Sequence, residues 1–158
     1  YDNDEDNVDT YGYLYNWYAV DDSRHIAPEG WHVPTDEEWK QLEEHLGISQ
    51  SNADDSGWRG TNEGSKLAGN ASLWPDDDLR NNSAFGASGF SALPGGYRRI
   101  ASIAYFGAID QNAYFWTATE SSPPILYPWY RHLGYNRADV YRATYSKKAG
   151  YSVRLVKD

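Results

Sequence analysis

Four histidines and a C-terminal row of tyrosines are the side chains in this chain best suited to chemistry, and their spacing decides which chemistry. His25, His32, His45 and His132 lie far apart, and none forms the short His-x-x-x-His pair with which a helix holds zinc. The sequence has no cysteine, which excludes disulfides, thiolate metal sites and cysteine nucleophiles together. No Gly-x-Ser-x-Gly elbow or Ser-x-x-Lys pattern supplies an activated serine, and Ser65 beside Lys66 has the wrong spacing. The carboxylate pairs Asp36–Glu37 and Glu43–Glu44 are expected on the solvent side of a helix, as ordinary charge rather than as the acid and base of a glycosidase. His32 reads as a hydrogen-bonded structural residue, and His132 as the histidine placed to contact a ligand.

Calcium is a sharper question. Asp2, Asp4 and Asp6 alternate like the first ligands of an EF-hand loop, but Asn7 stands where the loop needs glycine and Tyr13 where it needs a bidentate glutamate. That motif is therefore absent. A looser oxygen-rich site, here or at Asp76–Asp78, leaves structural calcium as the one cofactor the sequence allows, and no other cofactor is expected.

The last thirty residues point instead to binding. Trp129, Arg131, Leu133 and Tyr135 alternate with Tyr130, His132, Gly134 and Asn136, so a strand would place the two sets on opposite faces. The first set suits a packed wall with a polar tether. The second mixes the side-chain types that serve recognition surfaces, where tyrosine offers a large, rigid, amphipathic ring for little entropy. Tyr127, Tyr130, Tyr141 and Tyr145 are the expected anchors, with His132, Asn136, Arg137 and Asp139 for polar specificity. Trp129, Arg131, Leu133, Val140, Arg142, Val153 and Arg154 are expected to hold the strands in register.

These residues must be positioned by a scaffold. The clearest element is a helix over 35–46, with Thr35 as N-cap, Glu38 completing a capping box, Trp39, Leu42 and Leu46 on one face, and Gly47 as terminator. A second short helix is expected near 62–68, and a strand or short helix at 11–20. Residues 48–62 read as loop, and 70–92 as a long connection packed down by Leu73, Trp74, Phe85 and Phe90. Pro94, Gly95 and Gly96 mark a tight turn, after which short strands run to the end.

Composition fits a single domain over 1–158 with an unusual core: 7 Trp and 14 Tyr, but no Met. Trp17, Trp31, Trp39, Trp58, Trp74 and Trp116 are expected to be buried, which obliges their indole N–H groups to find partners. A net charge of −9 argues against a nucleic-acid partner, and no apolar run is long enough for a membrane span. Without an initial Met, Tyr1 reads as the start of a processed or excised product.

Five segments carry a family resemblance: YGYLYNWYAV at 11–20, GWHVPTDEEW at 30–39, ALPGGYR at 92–98, YFWTATE at 114–120 and GYSVRLV at 150–156. Spread over nearly the whole chain and in family order, they resemble the Fibrobacter succinogenes major paralogous domain. The resemblance implies an α+β C-type-lectin-like fold of the formylglycine-generating-enzyme-like branch, with two helices, a small twisted antiparallel sheet and long packed loops. It does not imply that enzyme's chemistry, which relies on cysteines. Members carry a strand ahead of the first segment that this chain lacks, so a missing N-terminal segment or another chain is expected to supply a strand or domain.

Some members look like variable proteins of diversity-generating retroelements, in which template Asn codons become codons with a fixed pyrimidine third base. Such codons exclude Lys, Glu, Gln, Met and Trp. Between Ser121 and Ser146 only Trp129 belongs to that set, where the chain-wide frequency would give roughly four. The resemblance thus implies a non-enzymatic, cell-surface or extracellular module of bacterial or phage origin that binds a protein or glycan. Its display positions would be Ile125, Leu126, Tyr127, Tyr130, His132, Gly134, Asn136, Arg137, Ala138, Asp139, Tyr141, Ala143, Thr144 and Tyr145. The alternatives are a fixed-specificity adhesin or carbohydrate-binding domain, a structural envelope or pilus-tip domain, and an oxygenase-type enzyme marked by a bound transition metal.

Overall fold

In the computed structural model, which describes residues 4–158, the chain begins with helix α1 (Glu5–Tyr11), strand β1 (Tyr15–Asn16) and helix α2 (Trp17–Val20). Strand β2 (Trp31–His32), helix α3 (Asp36–Leu46), helix α4 (Gln50–Asp54) and strand β3 (Gly57–Arg59) follow. Two short helices, α5 (Glu63–Leu67) and α6 (Asp78–Asn81), precede the strands. These are β4 (Gly95–Ile100), β5 (Ala104–Ile109), β6 (Asn112–Glu120), β7 (Pro128–Gly134), β8 (Val140–Thr144), β9 (Gly150–Tyr151) and β10 (Val156–Lys157). The fold is α+β.

Among the described residues three antiparallel sheets form rather than the single one expected. Their orders are β3-β8-β7-β6, β1-β9-β4-β5 and β10-β2. The extra helix and strand in 48–62, α4 and β3, escape a pattern reading because each is only three to five residues long.

Helix α3 forms where expected. The Thr35 hydroxyl accepts from the Glu38 N–H while the Glu38 carboxylate accepts from Thr35 N, and Gly47 takes positive φ at the C-cap. The short helix expected near 62–68 is α5. The 70–92 connection is packed, with Trp74 and Leu79 buried and Phe85 and Phe90 against the core.

The β6–β7–β8 sheet separates two cores. Leu133 and Val140 meet Trp39, Ile48, Leu67, Trp74 and Leu79 on the helical side. On the other, Trp17, Tyr114, Trp116, Tyr130 and Tyr151 form a cluster of rings. Indole N–H groups of Trp17, Trp74 and Trp116 donate to the carbonyls of Thr117, Gly69 and Tyr15 at 2.8, 3.1 and 2.9 Å. Trp39 Nε1 is buried with no partner among the described residues. Two tryptophans depart from expectation: Trp31 is exposed, on the short edge pair β2–β10, and Trp58 is only half-buried.

Candidate functional site

The helical face of the sheet is held by charge. Arg131, fully buried, donates from Nη1 to Asp36 Oδ1 at 2.7 Å and from Nε to Glu43 Oε1 at 2.6 Å. Arg142 donates from Nη2 to Asp36 Oδ2 at 2.6 Å, and Arg59 from Nη2 to Glu43 Oε2 at 2.8 Å. Asp36 and Glu43 are thus buried, which corrects the solvent-side reading. The helical period that places Trp39 inward places positions 36 and 43 beside it, and three arginines supply the counter-charge that makes burial tolerable. Although burial opposes it, Arg142 and Arg131 hold the Asp36 carboxyl below the usual carboxylate range. The third buried carboxylate, Glu63, accepts from the Thr61 and Asn62 N–H groups. All three are committed to structure.

The opposite face carries the recognition candidates, and the register shows which of them share it. Tyr130 pairs with Ala143 and His132 with Tyr141 across β7–β8, while Trp129 pairs with Thr144 and Arg131 with Arg142. Alternation therefore puts Tyr130, His132, Tyr141, Ala143 and Tyr145 together and sends Thr144 to the Arg142 side. That is a correction for Thr144. Tyr130 is a second one: it is 6 % exposed, packed between Tyr114, Tyr151 and Tyr141, and belongs to the core rather than the display set. Gly134 is a third. It is buried beneath Trp58, whose ring lies 3.2 Å from where a Cβ would stand.

What remains is a half-buried aromatic surface. His132 stacks on Tyr114 with centroids 4.4 Å apart, and the Trp58 ring lies 5.0 Å from His132 and 5.1 Å from Tyr141. The Arg137 guanidinium lies over Trp58 at 4.6 Å and pairs with Asp139 at 2.8 Å. Trp58 is thus the hub of this end of the surface. Sequence reasoning assigned it to the core, and only its pairing with Tyr141 across β3–β8 reveals the role. Burial, with the charge of Arg99 adding to it, lowers the His132 imidazole to about 4. Burial likewise raises the Tyr114 and Tyr130 phenols.

The remaining candidates lie at two edges. Asn136 and Arg137 are exposed in the β7–β8 loop, whose base is anchored where Ser65 N donates to Ala138 O at 3.0 Å and Leu79 N to Tyr135 O at 3.0 Å. Ile125, Leu126 and Tyr127 are 62, 43 and 44 % exposed on the β6–β7 loop. With Tyr18, Ser146, Lys147 and Lys148 they line a cavity of about 470 Å³.

Elsewhere, His32 is hydrogen-bonded as expected, Nδ1 to Asp158 at 2.6 Å and Nε2 to Glu38 at 2.8 Å, and these carboxylates raise its basicity. Among the register residues, Arg154 is exposed and donates to Phe90 O at 2.5 Å. Asp4 caps α1 and Asp77 caps α6, while Asp2 lies outside the described residues. Among the described residues no three histidine, aspartate or glutamate side chains assemble a metal site, and no helix is long and apolar enough to cross a membrane.

No match was found among curated proteins or among solved structures. The family model described as the Fibrobacter succinogenes major domain matches residues 1–157, and the chain belongs to that family.

Proposed function

We propose that this protein is a non-enzymatic binding module whose C-terminal strands and loops display an exchangeable recognition surface on a rigid C-type-lectin-like scaffold of the formylglycine-generating-enzyme-like branch. One observation carries the reading: the two faces of β7–β8 are divided between unlike tasks. Arg131 and Arg142 lock one face to α3 through Asp36 and Glu43. The other presents His132, Tyr141, Ala143 and Tyr145, flanked by the exposed Ile125–Tyr127 loop and by Asn136 and Arg137. Substitution on the second face leaves the first intact, which is the condition for changing specificity without losing the fold.

On this reading the protein is the variable protein of a diversity-generating retroelement, working at the cell surface or outside the cell on a protein or glycan ligand. The scarcity of Lys, Glu, Gln, Met and Trp over 121–146 supports it. Sequencing the 3′ end of the gene across a source population, with any near-identical template copy, tests it. Substitutions confined to codons that match template adenines are expected. A uniform 3′ end with no template would overturn the proposal and leave a fixed-specificity adhesin or structural domain.

A further inference from the structure

Beside the display positions, on a strand outside the C-terminal segment, Arg99 of β4 lies in a tyrosine box. Its guanidinium carbon is 4.3 Å from the centroid of the Tyr97 ring, 4.5 Å from Tyr145 and 5.9 Å from Tyr114, and Nη2 donates to the Tyr151 hydroxyl at 3.4 Å. Among the described residues its buried Nε has no acceptor and no carboxylate lies within ion-pair distance of it. Arg80, Arg98 and Arg154 also lack an ion-pair partner among these residues, but Arg80 and Arg154 donate to the Trp74 and Phe90 carbonyls and Arg98 lies over the Phe106 ring alone. Arg24, Arg59, Arg131, Arg137 and Arg142 each have an aspartate or glutamate partner. In a chain of net charge −9, carboxylates are abundant, yet the half-buried Arg99 is left without one.

A partly desolvated charge without a counter-ion is costly to hold, and sandwiching between rings fixes its pose without neutralising it. A fixed planar fork of donors is the geometry that receives a carboxylate in two parallel hydrogen bonds. We infer that Arg99 is an anchoring residue for the carboxylate of an acidic sugar, with the surrounding tyrosine rings and hydroxyls packing against the sugar ring. The surroundings favour a sugar over an acidic peptide. Ring faces and hydroxyls are what the site offers, with Tyr105 exposed and edge-on to Tyr97 at 6.1 Å. The inference rests on the binding-surface reading through Tyr145, and it adds a fixed residue that names the ligand's charge.

The test titrates the full chain with trigalacturonate and with its fully methyl-esterified form, which keeps the sugar and removes the charge. The Arg99 Nε–H signal, assigned by its loss in Arg99→Gln, and the tyrosine ring signals are followed by NMR. Saturable shifts with the acid, binding about tenfold or more weaker for the ester, and a similar loss in an Arg99→Gln protein with a native spectrum are expected. If Arg99→Gln does not fold, the acid–ester comparison on the unaltered protein decides. Equal binding of acid and ester at Tyr141 and Tyr145 would overturn the role of Arg99 and leave the surface reading standing. Absence of any shift with the acid would overturn the inference too, whereas failure of the surface reading itself is read separately, in the gene's 3′ end.

Discussion

The rings of Tyr114 and His132 stack face to face across the β6–β7 pair, 4.4 Å between centroids and 6° between planes. Because the imidazole packs on a phenol and has its Nε2 buried without a partner, its neutral form is the one the fold accommodates. In the folded chain it titrates at about 4, against about 6.5 when unfolded. Between those values the unfolded chain binds more protons. The stability due to this neutral histidine is therefore complete above about pH 6.5 and is lost as pH falls toward 4. His132→Phe should flatten that loss by on the order of 2–3 kcal/mol, read from urea unfolding at pH 7 and pH 4.5. His32 cannot produce the effect, because its raised basicity contributes stability at low pH and loses it as pH rises. An unchanged pH profile in His132→Phe would contradict the burial argument.

Two tyrosines alike in sequence context should respond oppositely to truncation. Tyr130→Ala removes a core ring and is expected to cost about 3–5 kcal/mol. Tyr127→Ala removes a ring that is 44 % exposed and should cost within about 0.5 kcal/mol. Paired chemical denaturation measures both, and similar losses would mean that the β6–β7 loop is part of the core.

The five-residue ion network predicts a large penalty for breaking it from one side. Arg131→Met leaves the buried Asp36 and Glu43 with less counter-charge and should cost about 3–5 kcal/mol. Adding Glu43→Leu should cost less than the sum of the two single changes, since each single variant strands a charge that the double removes. Strict additivity in the double-mutant cycle would show that the contacts are not coupled.

Gly64 tests how the display loop is seated. A Cβ there would stand 2.2 Å from the Asp139 carbonyl oxygen and 2.9 Å from that of Ala138, both backbone atoms. Gly64→Ala must therefore push the β7–β8 loop off α5, costing about 1–3 kcal/mol. Amide shifts should concentrate at residues 135–139. A spectrum changed only around residue 64 would show that the loop is not carried by this contact.

The parts of the fold legible in the sequence are those with a strong local signal. Thr35, Glu38 and Gly47 specify the ends of α3 through their own hydrogen bonds and backbone angles, and period-two alternation separates the faces of β7. What escaped depends on contacts across long separations. Asp36 and Glu43 read as surface charge because their partners Arg131 and Arg142 lie about ninety residues or more away in sequence. Tyr130 read as displayed because alternation names a face without saying what covers it, here Tyr151 from β9. Trp58 and Arg99 lie outside the C-terminal segment and join the surface only through strand pairing and ring packing.

The most direct test of the central claim, that scaffold and surface are separable, is a displayed library randomised at Ile125, Leu126, Tyr127, Asn136, Arg137, Tyr141, Ala143 and Tyr145. Resistance to protease would be scored for every member beside the parent. The account predicts that most members resist cleavage as the parent does, with sensitivity confined to members carrying proline. Loss of resistance across the library as a class would contradict it, because those side chains would then be holding the fold together.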